Sequence, residues 1–282
     1  MSLIYKPVVL MEPSTETSRK SLINDTRSCS SCSSRLVCIS QDTEKNGPGG
    51  VEHLLAKTRR IPKNQTLYQK HEQLKNLYLV RFGQFKMIGE DLCGDQCISG
   101  FYLAGDVLGM DAIATGQHQY RIVALENSEV CEIPFENLGE MMINQHGIQR
   151  RLFQAMSESL NNHCFRASIS AKTSMYARFA SFLLILGKKY NTLGYSDRSF
   201  RLQMSRSDIA SYLGTSVETV SRSINRLNAH GAASITGRQV KVYDQSYLQA
   251  LVRGHEGGAF SSVPLASDQQ DIFRDECHTE SP

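Results

Sequence analysis

Between Leu67 and about Leu138 the apolar residues come in short bursts: Leu77-Tyr78-Leu79-Val80, Phe85 alternating with Met87, Phe101-Tyr102-Leu103 and Ile122-Val123-Ala124-Leu125. Gly83, Gly94, Gly100, Gly105, Gly109 and Gly116 stand between them. Such bursts are too short for amphipathic helices, and the glycines supply turns, so the stretch predicts an antiparallel roll or barrel. Upstream, the Asn46-Gly47-Pro48-Gly49-Gly50 break is followed by Val51 to Arg60, which predicts a short helix. Beyond Pro134 the period becomes helical. Phe153, Met156, Leu160, His163 and Ala167 form a narrow stripe that either pairs with a copy of itself or lies on the roll. His163 stands on that seam, where charge weakens pairing. Phe179, Phe182, Leu183 and Leu186 mark another helix, opening a C-terminal core.

Ser205-Arg206-Ser207-Asp208-Ile209-Ala210-Ser211-Tyr212-Leu213-Gly214 predicts a short helix, capped by Ser205 with Asp208 and stopped by glycine. A second helix from Val217 to Leu227 follows at once, and two helices across a tight glycine turn make a helix-turn-helix pattern. Advancing about 100° per residue, Val217, Val220, Ile224 and Leu227 gather on one face. Glu218, Ser221, Arg222 and Asn225 gather on the other. The first face buries. The second offers an acceptor, a hydroxyl, a guanidinium and an amide, which suits base edges in a major groove. Glu218 alternatively closes a capping box with Thr215. Ile235 to Val240 predicts a small hairpin that brings Arg238 to phosphate.

At 282 residues the chain has length for two ordinary domains. Its net charge of +3 gains meaning when localised, because Ser196 to Lys241 carries seven lysines and arginines against three acids. The basic excess therefore falls on the helix-turn-helix, as a polyanionic partner requires. No apolar run approaches the roughly 18 residues of a membrane span. Glu12, Glu16 and Asp25 interrupt any secretory pattern, so a cytoplasmic protein without membrane attachment is expected. Its eight cysteines should then be reduced, and clustered thiols point to metal more than to disulfides. Cys29, Cys32 and Cys38 form a C-x2-C-x5-C run, with Cys131 far downstream. Surface thiols, oxidised pairs, zinc and an iron-sulfur cluster all remain compatible with that spacing. Cys277 and His278, in the tail, are read as an incidental pair. Glycine-rich phosphate loops, nucleophile elbows and supported pairs of catalytic acids are missing from the sequence, which argues against an enzyme.

Together the cysteine run, Gly100-Phe101-Tyr102-Leu103-Ala104-Gly105-Asp106, Val130-Cys131-Glu132-Ile133-Pro134-Phe135-Glu136 and Thr215 to Arg222 closely resemble the oxygen-responsive FNR branch of the cyclic-AMP receptor protein superfamily. The resemblance covers roughly residues 29 to 250. It implies an α+β fold: residues 1–48 a flexible segment with the cluster cysteines, 49–147 a cyclic-nucleotide-binding-like β-roll, 148–172 a dimerisation helix and 173–250 a winged helix-turn-helix; it leaves residues 251–282 unaccounted for, and their glycines, serines and scattered acids predict a tail without fixed structure. It further implies Cys29, Cys32, Cys38 and Cys131 as ligands of one 4Fe-4S cluster per subunit, and Glu218, Ser221 and Arg222 as base readers. The implied partners are a second copy of the chain, palindromic double-stranded DNA with TTGAT-like half-sites, and RNA polymerase at loops such as Glu90 to Gln96. A redox regulator of the same fold using zinc or thiols is the alternative, and an iron-sulfur enzyme or electron carrier the more distant one. Three departures stand out. Gly109-Met110 and Gln119-Tyr120-Arg121 replace the pairs that hold nucleotide in relatives, so none is expected. His163 stands where an acid is common, and Cys93 and Cys97 fall outside the ligand pattern and are read as ordinary reduced thiols.

Overall fold

The computed structural model describes residues 57–90, 94–144, 146–172 and 174–254. Eight strands come first: β1 (Thr58–Ile61), β2 (Thr66–Tyr68), β3 (Asn76–Phe82), β4 (Phe85–Glu90), β5 (Gln96–Tyr102), β6 (Val107–Leu108), β7 (Arg121–Ala124) and β8 (Ser128–Pro134). They form two antiparallel sheets in the orders β1-β8-β3-β6 and β2-β7-β4-β5. Between the sheets lies a core of Ile61, Tyr68, Val80, Phe85, Met87, Ile122 and Val130. The run Leu77-Tyr78-Leu79-Val80 lacks polar alternation because β3 is covered on both sides. Tyr78 and Val80 face the other sheet, while Leu77 and Leu79 face a second core under the helices that follow. Gly83 (φ 88°) turns β3 into β4, and a Cβ there would collide with Ser128.

The helix expected over Val51 to Arg60 is corrected where the structure describes it: Thr58–Ile61 is strand β1, while 51–56 lie outside the described residues. Its register explains why. Thr58 stands opposite Cys131 and Ile61 opposite Ser128, Ile61 enters the inter-sheet core, and the cations meet acids of β8. Lys57 and Arg59 approach Glu132 at 3.4 and 3.8 Å, and Arg60 approaches Glu129 at 3.6 Å.

Two helices cap the first sheet, α1 (Phe135–Asn144) and α2 (His146–Lys172), and α3 (Met175–Thr192) opens the C-terminal unit. That unit continues through β9 (Ser199–Arg201), α4 (Arg206–Leu213), α5 (Val217–Ala229), β10 (Ala233–Thr236), β11 (Gln239–Val242) and α6 (Gln245–Val252). Strands β10-β11-β9 form a small antiparallel sheet beside the helices. Phe179, Phe182, Leu183 and Leu186 are buried as expected, together with Ile209, Val220, Leu227, Val240 and Leu248. Leu103 and Leu125 of the roll belong to the same cluster, so roll and C-terminal unit pack as neighbours. No helix among the described residues is long and apolar enough to cross a membrane. Phe179 is 1% exposed at the centre of this cluster, and Phe179→Ala should cost about 3–5 kcal/mol of stability in equilibrium denaturation.

Candidate nucleic-acid interface

The start of α4 follows from local chemistry. Ser205 Oγ accepts the Asp208 N–H at 3.0 Å and Asp208 Oδ2 accepts the Ser205 N–H at 3.0 Å, which satisfies two orphan donors reciprocally. Gly214 closes the helix in a left-handed conformation (φ 65°), its N–H reaching back to the carbonyls of Ala210 and Ser211. Ser216 then caps α5 by accepting the Thr219 N–H at 3.2 Å. A capping box between Thr215 and Glu218 is therefore not formed. Glu218 instead takes a hydrogen bond from Arg222 one turn on, at 2.6 Å.

Helix α5 divides as its periodicity requires, with one correction. Val220, Ile224 and Leu227 are buried, but Val217 is 45% exposed because, as the first residue of the helix, it projects past the core. Ser223 joins the buried side, its hydroxyl donating to the Thr219 carbonyl. Glu218, Ser221, Arg222 and Asn225 are all exposed on the opposite side. Glu218 and Arg222 pair there with side chains 72% and 75% exposed, so separating them costs roughly 0–1 kcal/mol.

The β10–β11 hairpin turns at Gly237 and carries a half-exposed Arg238. Two residues that sequence reasoning passed over hold it. Arg206 Nη2 donates to the Gly237 carbonyl at 2.6 Å, and the Asn228 amide bonds both the N–H and the carbonyl of Ile235. Both are contacts between segments, so no local motif marks them.

On the roll, Cys131 is 7% exposed and packs with Leu77, Leu79, Leu138, Ile148 and Leu152, beneath α1 and the first turns of α2. Cys29, Cys32 and Cys38 lie outside the described residues, as does Cys93. Cys97 is half-buried on β5, in the other sheet. Among the described residues no cluster of three metal-ligating side chains occurs. Helix α2 turns Ile148 and Leu152 to the roll, whereas Phe153, Met156 and Leu160 are 57%, 41% and 64% exposed. His163 and Ala167 are exposed as well.

A cavity of about 280 Å³ between roll and α2 is lined by Tyr68, Tyr102, Tyr120, Met87, Met110 and Asp111, and among the described residues that line it none is a lysine or arginine. The Asp111 carboxylate accepts the Gln119 N–H at 2.8 Å and the Tyr68 hydroxyl at 3.2 Å, and lies 3.4 Å from His118 Nδ1.

A roll joined by a long helix to a winged helix-turn-helix with an exposed polar reading face is the architecture of a DNA-binding transcription regulator. Comparison with known proteins agrees: the Crp-like helix-turn-helix domain family matches residues 177–251 and the cyclic nucleotide-binding domain family residues 58–145. The fumarate and nitrate reduction regulatory proteins of Escherichia coli K12 and Salmonella typhimurium are each 34% identical over 227 residues, 80% of this chain and 90% of theirs. Among solved structures, FixK2 from Bradyrhizobium japonicum superposes with a TM-score of 0.62 at 24% identity, covering 69% of this chain and 96% of its own. The regulator CLP from Xanthomonas campestris shares the fold with a TM-score of 0.54 at 23% identity, covering 68% and 97%. The chain belongs to the CRP/FNR family, as an FNR-like transcriptional regulator.

Two carboxylates of this frame carry a pH signature. Burial alone would raise Asp111, but hydrogen bonds from His118 and the Gln119 N–H outweigh it and hold the group below the usual carboxylate range. Burial likewise opposes Asp208, and the Lys86 ammonium with the Ser205 hydroxyl and N–H lowers it. A folded-state pKa below the unfolded one contributes stability that is present above the unfolded value and lost as pH falls through the folded value. Stability should therefore drop below about pH 4. Asp111→Asn should be less stable than the parent at neutral pH and show a flatter acid limb in denaturation measured across pH.

Proposed function

We propose that this protein is an oxygen-responsive cytoplasmic regulator in which Cys29, Cys32, Cys38 and Cys131 hold one 4Fe-4S cluster per subunit, and in which two chains pair to bind palindromic DNA. The supporting observation is the β1–β8 register. Thr58 stands opposite Cys131, so the chain that follows the three-thiol segment in sequence joins the roll beside the fourth thiol. Four thiolates are the donor set such a cluster takes. When bound, it supplies an oxygen-labile cross-link between the N-terminal arm and the roll.

The chain's own residues carry the consequence. Cys131 shares a core with Ile148 and Leu152, and Phe153 is the next residue of α2. Anchoring at Cys131 therefore steadies the root of α2 just where its apolar seam begins. Phe153, Met156, Leu160, His163 and Ala167 would bury against the same residues of a second copy. Each large apolar side chain so buried contributes roughly 1.5–3 kcal/mol. A two-fold pair presents two recognition helices about 34 Å apart, one turn of DNA. The second half-site contact becomes nearly intramolecular, so a modest gain in pairing yields a large gain in operator affinity.

At the DNA, Arg222 suits the O6 and N7 of guanine and Glu218 the N4 amine of cytosine. Ser221 and Asn225 flank them, and Arg238 meets phosphate from the hairpin. The half-site fitting this set is TTGAT-like, as the family resemblance implies, with RNA polymerase as the partner at promoters.

Protein purified without oxygen should be coloured, absorbing near about 400 nm with about four irons and four sulfides per chain. Cys131→Ser should lose that colour and remain monomeric in sedimentation. A colourless chain holding zinc would sink the cluster reading and leave a zinc or thiol sensor on the same fold. At the operator, Arg222→Ala should cost about 1–3 kcal/mol and relax the preference at one guanine. Arg238→Ala should weaken all sequences alike and reduce the salt slope by about one; quantitative gel shifts over a salt series separate the two.

A further inference from the structure

In a helix-turn-helix the first helix crosses the DNA backbone, and its seating sets how the second enters the groove. Here α4 is seated on the sensor roll as well as on its own domain. Lys86 of β4 donates to Asp208 at 2.6 Å, in a contact where the two side chains are only 22% and 12% exposed. One turn further on, the Ile98 N–H of β5 donates to Ser211 Oγ at 3.0 Å. The Tyr212 ring lies 5.0 Å from Phe101 of β5 and 5.8 Å from Phe182 of α3. These three residues form one face of α4, and all of them meet the roll.

The roll is shaped for this. Strand β5 is an edge strand, so its outward N–H groups have no strand partner, and Ser211 takes one of them. The β4–β5 ladder also steps over Ser99, with Met87 opposite Gly100 and Ile88 opposite Ile98. That irregularity falls where α4 docks, as bulges that re-aim a strand do. Nearby, Gln84 donates to the Tyr190 hydroxyl at 2.6 Å, Tyr190 donates to the Arg201 carbonyl at 2.9 Å, and Lys189 bonds Asp106 at 2.8 Å. These bonds hold α3 and β9 to the roll while the reading face of α5 stays exposed.

We infer that Lys86, Asp208 and Ser211 are positioning residues for DNA recognition: the roll aims α5 by gripping α4 directly, in addition to any signal that travels along α2. Asp208 joins the two halves, since it is both the capping partner of Ser205 and the acceptor for Lys86. The inference rests on base reading by α5 and is independent of the cluster.

The test uses the full-length chain with Lys86→Met, Ser211→Ala and both together, leaving the cap intact. The readout is the ratio of affinities for a TTGAT-type palindrome and for the same DNA with its guanines exchanged, alongside sedimentation, iron content and salt slope. Lys86→Met should lower the ratio about three- to tenfold, the range expected of one partly screened hydrogen-bonded charge. Sedimentation, iron content and salt slope should stay unchanged, and Lys86→Arg should restore the ratio. The double variant should lose less than the product of the single losses, because both act through one contact. An unchanged ratio with only a lower Tm reduces the contact to a structural one and overturns the inference, and so does tighter binding, which makes the contact a brake. Arg222→Ala run in parallel separates the failures. If it lowers the ratio while Lys86→Met does not, only the positioning role falls; if neither does, base reading falls and takes the positioning role with it.

Discussion

Val130 and Cys131 are neighbours on β8 whose side chains leave the strand on opposite faces, and both faces are cores. Val130 lies between the two sheets, while Cys131 lies under α1 and α2. The same double burial holds β3 beside it, with Tyr78 and Val80 inward and Leu77 and Leu79 toward the helices. A strand packed on both sides cannot shift register without moving its whole apolar set, so β8 is fixed relative to the roll and to the root of α2 at once. Strand β1 then inherits its place from β8. Glu129 and Glu132 hold Arg60, Lys57 and Arg59 alongside, and Glu129 also takes a 2.9 Å bond from Arg81.

The C-terminal unit obeys a similar logic with a different mixture of forces. Its interior is apolar and continuous with Leu103 and Leu125 of the roll, and the polar bonds ring that contact rather than fill it. Burial supplies most of the cohesion, and the partly screened pairs Lys86–Asp208 and Lys189–Asp106 supply direction. Point contacts of that kind fix an angle between two bodies at little cost in stability, because each group keeps some water and a hydrogen-bonded partner.

Much of this frame is legible from neighbours in the chain. Glycine-punctuated bursts announce the strands, Ser205 with Asp208 and Gly214 delimit α4, and the spacing from Val220 to Leu227 sorts the faces of α5. What escapes local reading depends on distant partners. Thr58-Arg59-Arg60-Ile61 resembles the end of a helix until the acids of β8, about 70 residues on, are set beside it. Lys86 and Asp208 are 122 positions apart, and neither stands out alone. Val217 fits the apolar face by angle yet is exposed, because periodicity gives orientation and says nothing about where a core ends. The stripe on α2 is open between two readings in sequence; in the structure Phe153, Met156 and Leu160 are exposed, and Met156, Leu160 and His163 also line the cavity that faces the roll.

Cys131 and the polar contacts to α4 stand on different sheets of the roll, and this bears on how the proposed sensing and the reading of DNA could be combined in one chain. Cys131 stands on the β1-β8-β3-β6 sheet, whose outer side carries α2. Lys86 and Ile98 stand on the last two strands of the β2-β7-β4-β5 sheet, β4 and the edge strand β5, where α4 docks. A close-packed core joins the sheets, and such cores transmit displacement instead of absorbing it. An event at β8 would therefore reach the C-terminal unit along two routes, through α2 and its seam and through the roll itself to α4. Pairing and aiming would then be set by one event while resting on separate contacts, so that a substitution in either route can weaken operator binding without touching the other.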